Sequence, residues 1–176
     1  MNEWNESGIP TAYLITFRTF ASWLHGDERG SVDTHGKNIY GTPDIAPNAD
    51  LAARMRRNIV QDVVLLDARQ RETIETAIKD LCEQREYVLH AVNARSNHVH
   101  VVVTAQTKPE RLADALKAAA TKKLRERFLM QSAAKIWSRG RSRIYLWNER
   151  EVALAVEYVL YSQGDVPFPQ SETRTK

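Results

Sequence analysis

His98 and His100 are separated by a single residue in the run His98-Val99-His100-Val101-Val102-Val103-Thr104, whose β-branched content marks a strand. Side chains alternate along a strand, so both imidazoles share one face while Val99, Val101 and Val103 project from the other. Paired imidazoles suit transition metals, and they also hold Mn or Mg when oxygens complete the shell. A second reactive group lies near the carboxyl end, in Glu157-Tyr158-Val159-Leu160-Tyr161-Ser162-Gln163-Gly164. A phenol there is a potential nucleophile toward phosphodiesters. With an ordinary pKa near 10, it needs a cation close by to activate it or to stabilise the transition state, and the histidine pair would hold one. Tyr158 and Tyr161 both fit, set about 60° apart around a helix.

The elements that must position these groups follow from the periodicity. Tyr13 to Thr19 reads as an internal strand. Between about residues 20 and 66 the chain makes a long insertion: Gly26, Gly30, Gly36, Gly41, Pro43 and Pro47 punctuate a structured loop, Asp50 caps a short helix through Arg57, and Gln61 to Leu66 forms a short strand. Asp67 precedes a helix from about Ala68 to Arg85, with Ile74, Ile78, Leu81 and Cys82 on its apolar side. The only cysteine, Cys82, therefore belongs to the core and has no internal disulfide partner. Strands from Tyr87 to Ala94 and from His98 to Thr104 make a hairpin around Arg95-Ser96-Asn97. Pro109 fits the first turn of a helix reaching about Met130, a linker surrounds Gly140, and a strand runs from Ser142 to Trp147. Asn148 caps the last helix and Gly164 stops it.

Without the insertion, the order is strand, helix, strand, strand, helix, strand, with one added helix. The predicted class is α+β: a ferredoxin-like split βαβ antiparallel sheet with its helices on one face, leaving the other open for function. At 176 residues with 43% hydrophobic content, the chain is expected to form one domain with a true core, the tail from Pro167 to Lys176 being loose. No apolar run approaches the roughly 18 residues of a membrane span, and the first residues lack the pattern of a secretory signal. A soluble cytoplasmic protein without a membrane partner is expected.

Charge is concentrated. Lys108 to Arg143 holds eleven basic and three acidic residues, a local +8 within a chain of net +3, so the remainder carries −5. A one-sided positive field of this kind collects polyanions. Lys117, Lys122, Lys123, Arg125 and Arg127 would form a basic helix flank, with Arg139, Arg141 and Arg143 extending it toward Tyr145 and Trp147. These eight are the expected DNA contacts, and Trp23 and Trp137 are further candidates for base stacking, against a core role for each.

The strand Asn97-His98-Val99-His100-Val101-Val102-Val103, the basic segment ending in Trp147-Asn148 and the closing tyrosine helix resemble the HUH single-strand endonucleases with one catalytic tyrosine. More narrowly, with Thr16-Phe17-Arg18-Thr19 and Trp23-Leu24-His25-Gly26-Asp27 near the start, the chain looks like a REP-associated tyrosine transposase of the IS200-like group, over about residues 12 to 165. The resemblance implies cleavage and transfer of single-stranded DNA at hairpin or palindromic repeats, through a transient 5′-phosphotyrosine link, with a divalent Mg or Mn cofactor. It makes His98 and His100 metal ligands and Tyr158 the nucleophile, with Tyr161 as alternate, and it leaves a homodimer open. The family often places a polar ligand one helical turn after the tyrosine. Here Ser162 is four residues on and Gln163 five, and Gln163 is assigned as the third ligand.

Among the other histidines, His25 with Asp27 would approach the site as a lid, His90 reads as a satisfied structural residue, and His35 receives no role. A reading from another class is a non-catalytic nucleic-acid-binding domain with an RNA-binding-like sheet, although that use calls for paired aromatics where His98, His100 and Val102 stand. Two-histidine phosphoesterases are excluded, because none of the five histidines is followed two positions on by Ser or Thr.

Overall fold

In the computed structural model, residues 8–22, 48–57 and 61–161 are described. Most of the expected insertion, including Trp23, His25, Asp27 and His35, lies outside the described residues, as do Ser162, Gln163 and the tail from 167 to 176. The elements run β1 (Ala12–Thr19), α1 (Ala49–Arg57), α2 (Ala68–Gln84), β2 (Val88–Ala94), β3 (His98–Thr104), α3 (Pro109–Glu126), β4 (Trp137–Leu146) and α4 (Glu149–Tyr161). The strands form one four-stranded sheet in the order β2-β3-β1-β4, antiparallel throughout. This is the split βαβ order, with β1 and β3 as the central pair.

Alternation along those central strands builds two cores. Tyr13, Ile15 and Phe17 of β1 join Val99, Val101 and Val103 of β3 beneath α2 and α3, where Ile74, Ile78, Leu112 and Leu116 are buried. On the opposite face a smaller core gathers Ala12, Leu14, Ala91, Val102 and Leu146 against Val152, Ala155 and Val159 of α4. The sheet face expected to stand open is thus partly covered by the last helix. The reason lies in α4 itself, whose buried residues recur at helical spacing and need an apolar partner. The platform that an RNA-binding-like sheet would use is occupied there, Val102 being fully buried.

Local signals explain most boundaries. Asp67 caps α2 with a full capping box, its carboxylate accepting from the Gln70 backbone N–H while the Gln70 side chain accepts from the Asp67 N–H. Asn148 caps α4 by accepting from the Glu151 N–H at 2.9 Å. For α1, Asn48 rather than Asp50 makes the capping contact, accepting from the Leu51 N–H. Helix α3 stops at Glu126 instead of running to about Met130, because Phe128 takes a left-handed backbone (φ 55°) that ends the helical turn. Strand β4 starts at Trp137, and the expected linker around Gly140 is part of it, since β1 offers a free edge along its whole length and pairs from Ala12 to Thr19.

Residues 61–66, expected as a strand, belong to none. Val64 and Leu66 are buried while Val63 and Leu65 are exposed, so burial alternates along the segment. Their backbone N–H groups instead reach isolated loop carbonyls, Val64 to Phe20 at 3.1 Å and Leu66 to Ser96 at 2.7 Å. Cys82 is buried in α2, where desolvation pushes its thiol pKa up to about 11, so it is inert at neutral pH. Among the described residues, no helix is long and apolar enough to cross a membrane.

Candidate active site

Strand β1 changes character along the face that meets α4: Ala12 and Leu14 are apolar and core-forming, whereas Thr16 and Arg18, further along on the same face, are polar and half-buried. The ladder sets Thr16 opposite His100 and Arg18 opposite His98. On the other side of β3, Asn93 of β2 lies opposite His100. A polar patch is thereby built at one end of an otherwise apolar layer.

Within the patch the two imidazole rings stand 4.7 Å apart at 73°. His98 Nδ1 lies 2.6 Å from Asn97 Oδ1, so Nδ1–H donates to the amide oxygen and the lone pair of the neutral ring sits on Nε2. His100 Nδ1 lies 2.6 Å from the Thr16 hydroxyl. With Nδ1–H as the donor there, this ring also presents Nε2 as its basic nitrogen, the arrangement in which a second group orients a ligating histidine. The sequence alone assigns no role to Thr16 or Asn97. The available signal was a threonine in an otherwise apolar stretch of strand and an asparagine adjoining the first histidine.

His100 is only 8% exposed. Burial above all, then electrostatic interaction with His98, Arg18 and Arg95, lowers its pKa to about 3, so the ring is neutral across the physiological range. This has a consequence for acid stability. The unfolded chain protonates this residue near 6.5, before the folded protein does, so its contribution is fully present above pH 6.5 and is lost as pH falls toward 3. The full loss is on the order of 4 to 5 kcal/mol from a shift of this size. Urea unfolding with chelator present, at pH 7 and pH 4.5, is expected to show a smaller pH-dependent loss for His100→Gln than for wild type.

Helix α4 delivers the phenol. Val152, Ala155 and Val159 anchor the helix, and the Asn93 side-chain amide donates to the Val159 carbonyl at 3.0 Å, fixing its last turn to β2. Tyr158, beside that anchor, is half-buried with its ring 5.5 Å from that of His100, edge-on at 70°. Tyr161 is 81% exposed on the outer side of the helix. The structure therefore brings together His98, His100 and Tyr158, and holds Tyr161 away from them. Among the described residues no group of three or more His, Cys, Asp and Glu could hold a metal, and Gln163 lies outside those residues.

The basic segment is placed elsewhere. Helix α3 packs on the sheet face opposite Tyr158, and most of its cations are engaged. Lys117 donates to the Ser138 and Gly140 carbonyls at 2.9 and 3.0 Å, and its pKa is lowered by burial and then by Arg141. Lys123 pairs with Asp80 at 3.0 Å, Arg141 with Asp114, Arg143 with Glu110 at 2.9 Å, and Lys122 more loosely with Glu126. Arg125 reaches the Ala134 carbonyl and Arg127 the Thr73 hydroxyl, both at 3.3 Å, while Arg139 is exposed on β4. Trp137 belongs to the larger core, edge-on to Phe17 with its N–H donated to Thr121. Tyr145 and Trp147 stack on each other at 6.0 Å. His90 is satisfied at the far end of the sheet, where its Nε2 bonds the Thr104 hydroxyl at 2.8 Å and that hydroxyl donates to the Thr11 carbonyl.

Comparison with known proteins adds an independent observation. Residues 53–159 match a family model described as "Transposase IS200 like". No curated protein matches the chain. Among solved structures, a candidate transposase from Deinococcus radiodurans R1 is similar at 15% identity and a TM-score of 0.46, over 90% of this chain and 95% of that one. A REP-associated tyrosine transposase bound to a REP hairpin is similar at 12% identity and a TM-score of 0.44, over 90% of this chain and 70% of that one.

Proposed function

Because the chain belongs to the IS200-like transposase family, we propose that it is a single-stranded DNA endonuclease and strand transferase, acting at hairpin or palindromic repeat DNA through a covalent 5′-phosphotyrosine intermediate. Residues 12 to 165 would be its catalytic unit. One observation carries the mechanism: the Tyr158 ring lies against His100, which in turn neighbours His98, on a single polar patch.

The donor set fits a divalent cation. Two imidazoles sharing one ion at about 2.1 Å per nitrogen place their ring centres roughly 5 Å apart, close to the spacing of His98 and His100. Both rings are oriented through Nδ1, and His100 is neutral, as a ligand must be. His98 and His100 would hold Mg or Mn, with Gln163 as the third protein ligand. Such an ion supplies Lewis-acid polarisation of the phosphoryl oxygens when bound.

The chain's own residues account for the remaining steps. Tyr158 Oη attacks phosphorus, forming the Tyr–O–P bond as the P–O3′ bond breaks. The phenolic proton passes to solvent, and the departing oxygen takes up a proton to become a free 3′ hydroxyl. The 5′-phosphate of the downstream fragment stays on Tyr158. Attack by a 3′ hydroxyl on that phosphotyrosine reverses the chemistry and joins strands. The half-buried position of Tyr158 limits competing attack by water. The basic residues of α3 and β4, on the sheet's other face, would meet only DNA outside the reaction centre, and Arg139 is the one of that set we place on such DNA.

The test is adduct formation on a panel of hairpin oligonucleotides with single-stranded flanks, labelled at either end, in the presence of Mn or Mg. A denaturation-resistant protein–DNA species carrying only the 3′ label is the expected result. An adduct carrying the 5′ label would reverse the polarity of the cleavage, and no adduct on any substrate would remove the nuclease reading.

A further inference from the structure

Two arginines beside the histidine pair take no part in the scheme above. Arg18 stands opposite His98 in the β1–β3 ladder, and alternation places it on the face of Thr16, whose hydroxyl bonds His100. It is half-buried. Arg95 lies in the β2–β3 turn, where its backbone N–H donates to the His98 carbonyl at 2.8 Å, and its residue is exposed. Both positive charges are felt at His100. Arg18 thus brings a guanidinium to the sheet face that carries Tyr158.

A guanidinium presents a planar fork that matches two oxygens of a phosphate, and it keeps its charge in a half-buried setting. We infer that Arg18 grips the non-bridging oxygens of the scissile phosphate beside His98, and that Arg95, at the rim, contacts a neighbouring phosphate of the same strand. The inference rests on the nuclease reading and deepens it, since it names the group that holds the reacting phosphate. Charge on those oxygens is handled where it develops, so Arg18 acts mainly on the rate of attack, while Arg95 acts mainly on affinity.

Single-turnover adduct formation with the hairpin panel distinguishes these roles. Arg18→Gln is expected to slow the step by about 100-fold, in the range seen when one oxyanion donor is removed. Arg18→Lys keeps a point charge without the fork and should recover part of that loss. Arg95→Gln is expected to weaken oligonucleotide binding several-fold and to reduce its salt dependence. A second readout separates contact from support: wild type should bind the oligonucleotide less tightly when the cleaved linkage is a neutral methylphosphonate, and Arg18→Gln should lose that preference. A wild-type adduct that Arg18→Gln forms at nearly the same rate, with the preference retained, would overturn the inference alone. Absence of any wild-type adduct would overturn the nuclease reading and this inference with it.

Discussion

Tyr158→Phe is expected to abolish the covalent adduct, with a loss of at least about 1,000-fold in single-turnover rate, while leaving the fold and DNA binding nearly unchanged. The substitution removes one oxygen and keeps the ring that lies edge-on to His100. Because Tyr158 is half-buried beside the anchored Val159, the variant retains the packing that holds the last turn of α4. Loss of one hydroxyl hydrogen bond costs about 1 kcal/mol, too little to unfold a domain of this size. Tyr161→Phe supplies the control. Its side chain is 81% exposed on the outer side of the helix, so the adduct should form at the wild-type rate. The opposite pattern, with Tyr158→Phe active and Tyr161→Phe inactive, would transfer the nucleophile to Tyr161 and require the end of α4 to rearrange on binding DNA.

Removal of the cation is expected to have the second largest effect. Chelation should reduce adduct formation to background, and added Mn should restore it for wild type. His98→Ala should lower the rate by 100-fold or more at the same Mn concentration, with partial recovery as Mn is raised, because a lost ligand weakens metal binding before it alters the chemistry. His98 is the better site for this test. It lies at the start of β3 and is partly exposed, whereas His100 is buried and truncating it would open a hole beside α4. Binding of Mn followed by electron paramagnetic resonance offers a readout independent of cleavage: wild type should immobilise one ion and His98→Ala should not at equal concentration. Full adduct formation in chelator would exclude a required cation and leave the imidazoles to act as hydrogen-bonding or proton-transfer groups.

The placement of Thr16 and Asn97 explains why the histidine pair is not two arbitrary imidazoles. Each ring is held through Nδ1 by a different element, His98 by the residue preceding it and His100 by the facing strand. Neither contact costs the sheet a ladder bond, since both use side chains. The burial that lowers the His100 pKa follows from the same arrangement: α4 must cover this face to bring Tyr158 within reach, and in covering it α4 excludes water from the deeper ring. A neutral imidazole and a nearby phenol are two results of one packing event.

What the sequence determined by itself is whatever repeats over a few residues. The period of two in His98-Val99-His100-Val101 settled that both imidazoles share a face, and the helical spacing of Ile74, Ile78, Leu81 and Cys82 settled that α2 has an apolar side. The strand and helix order followed from the same signals, as did the helix start after Asp67 and Asn148 as a cap. Only the tertiary structure decided where α4 docks, which of two tyrosines turns inward, that Thr16 and Arg18 fall beside the histidines, and that the basic residues of α3 face away from them. It also decided that residues 61–66, strand-like in pattern, pair with no strand. The reason is physical. Periodicity records what a segment needs to bury, whereas register and docking depend on which distant segment meets that need, and a contact between residues such as Thr16 and His100 leaves no mark on the local pattern of either.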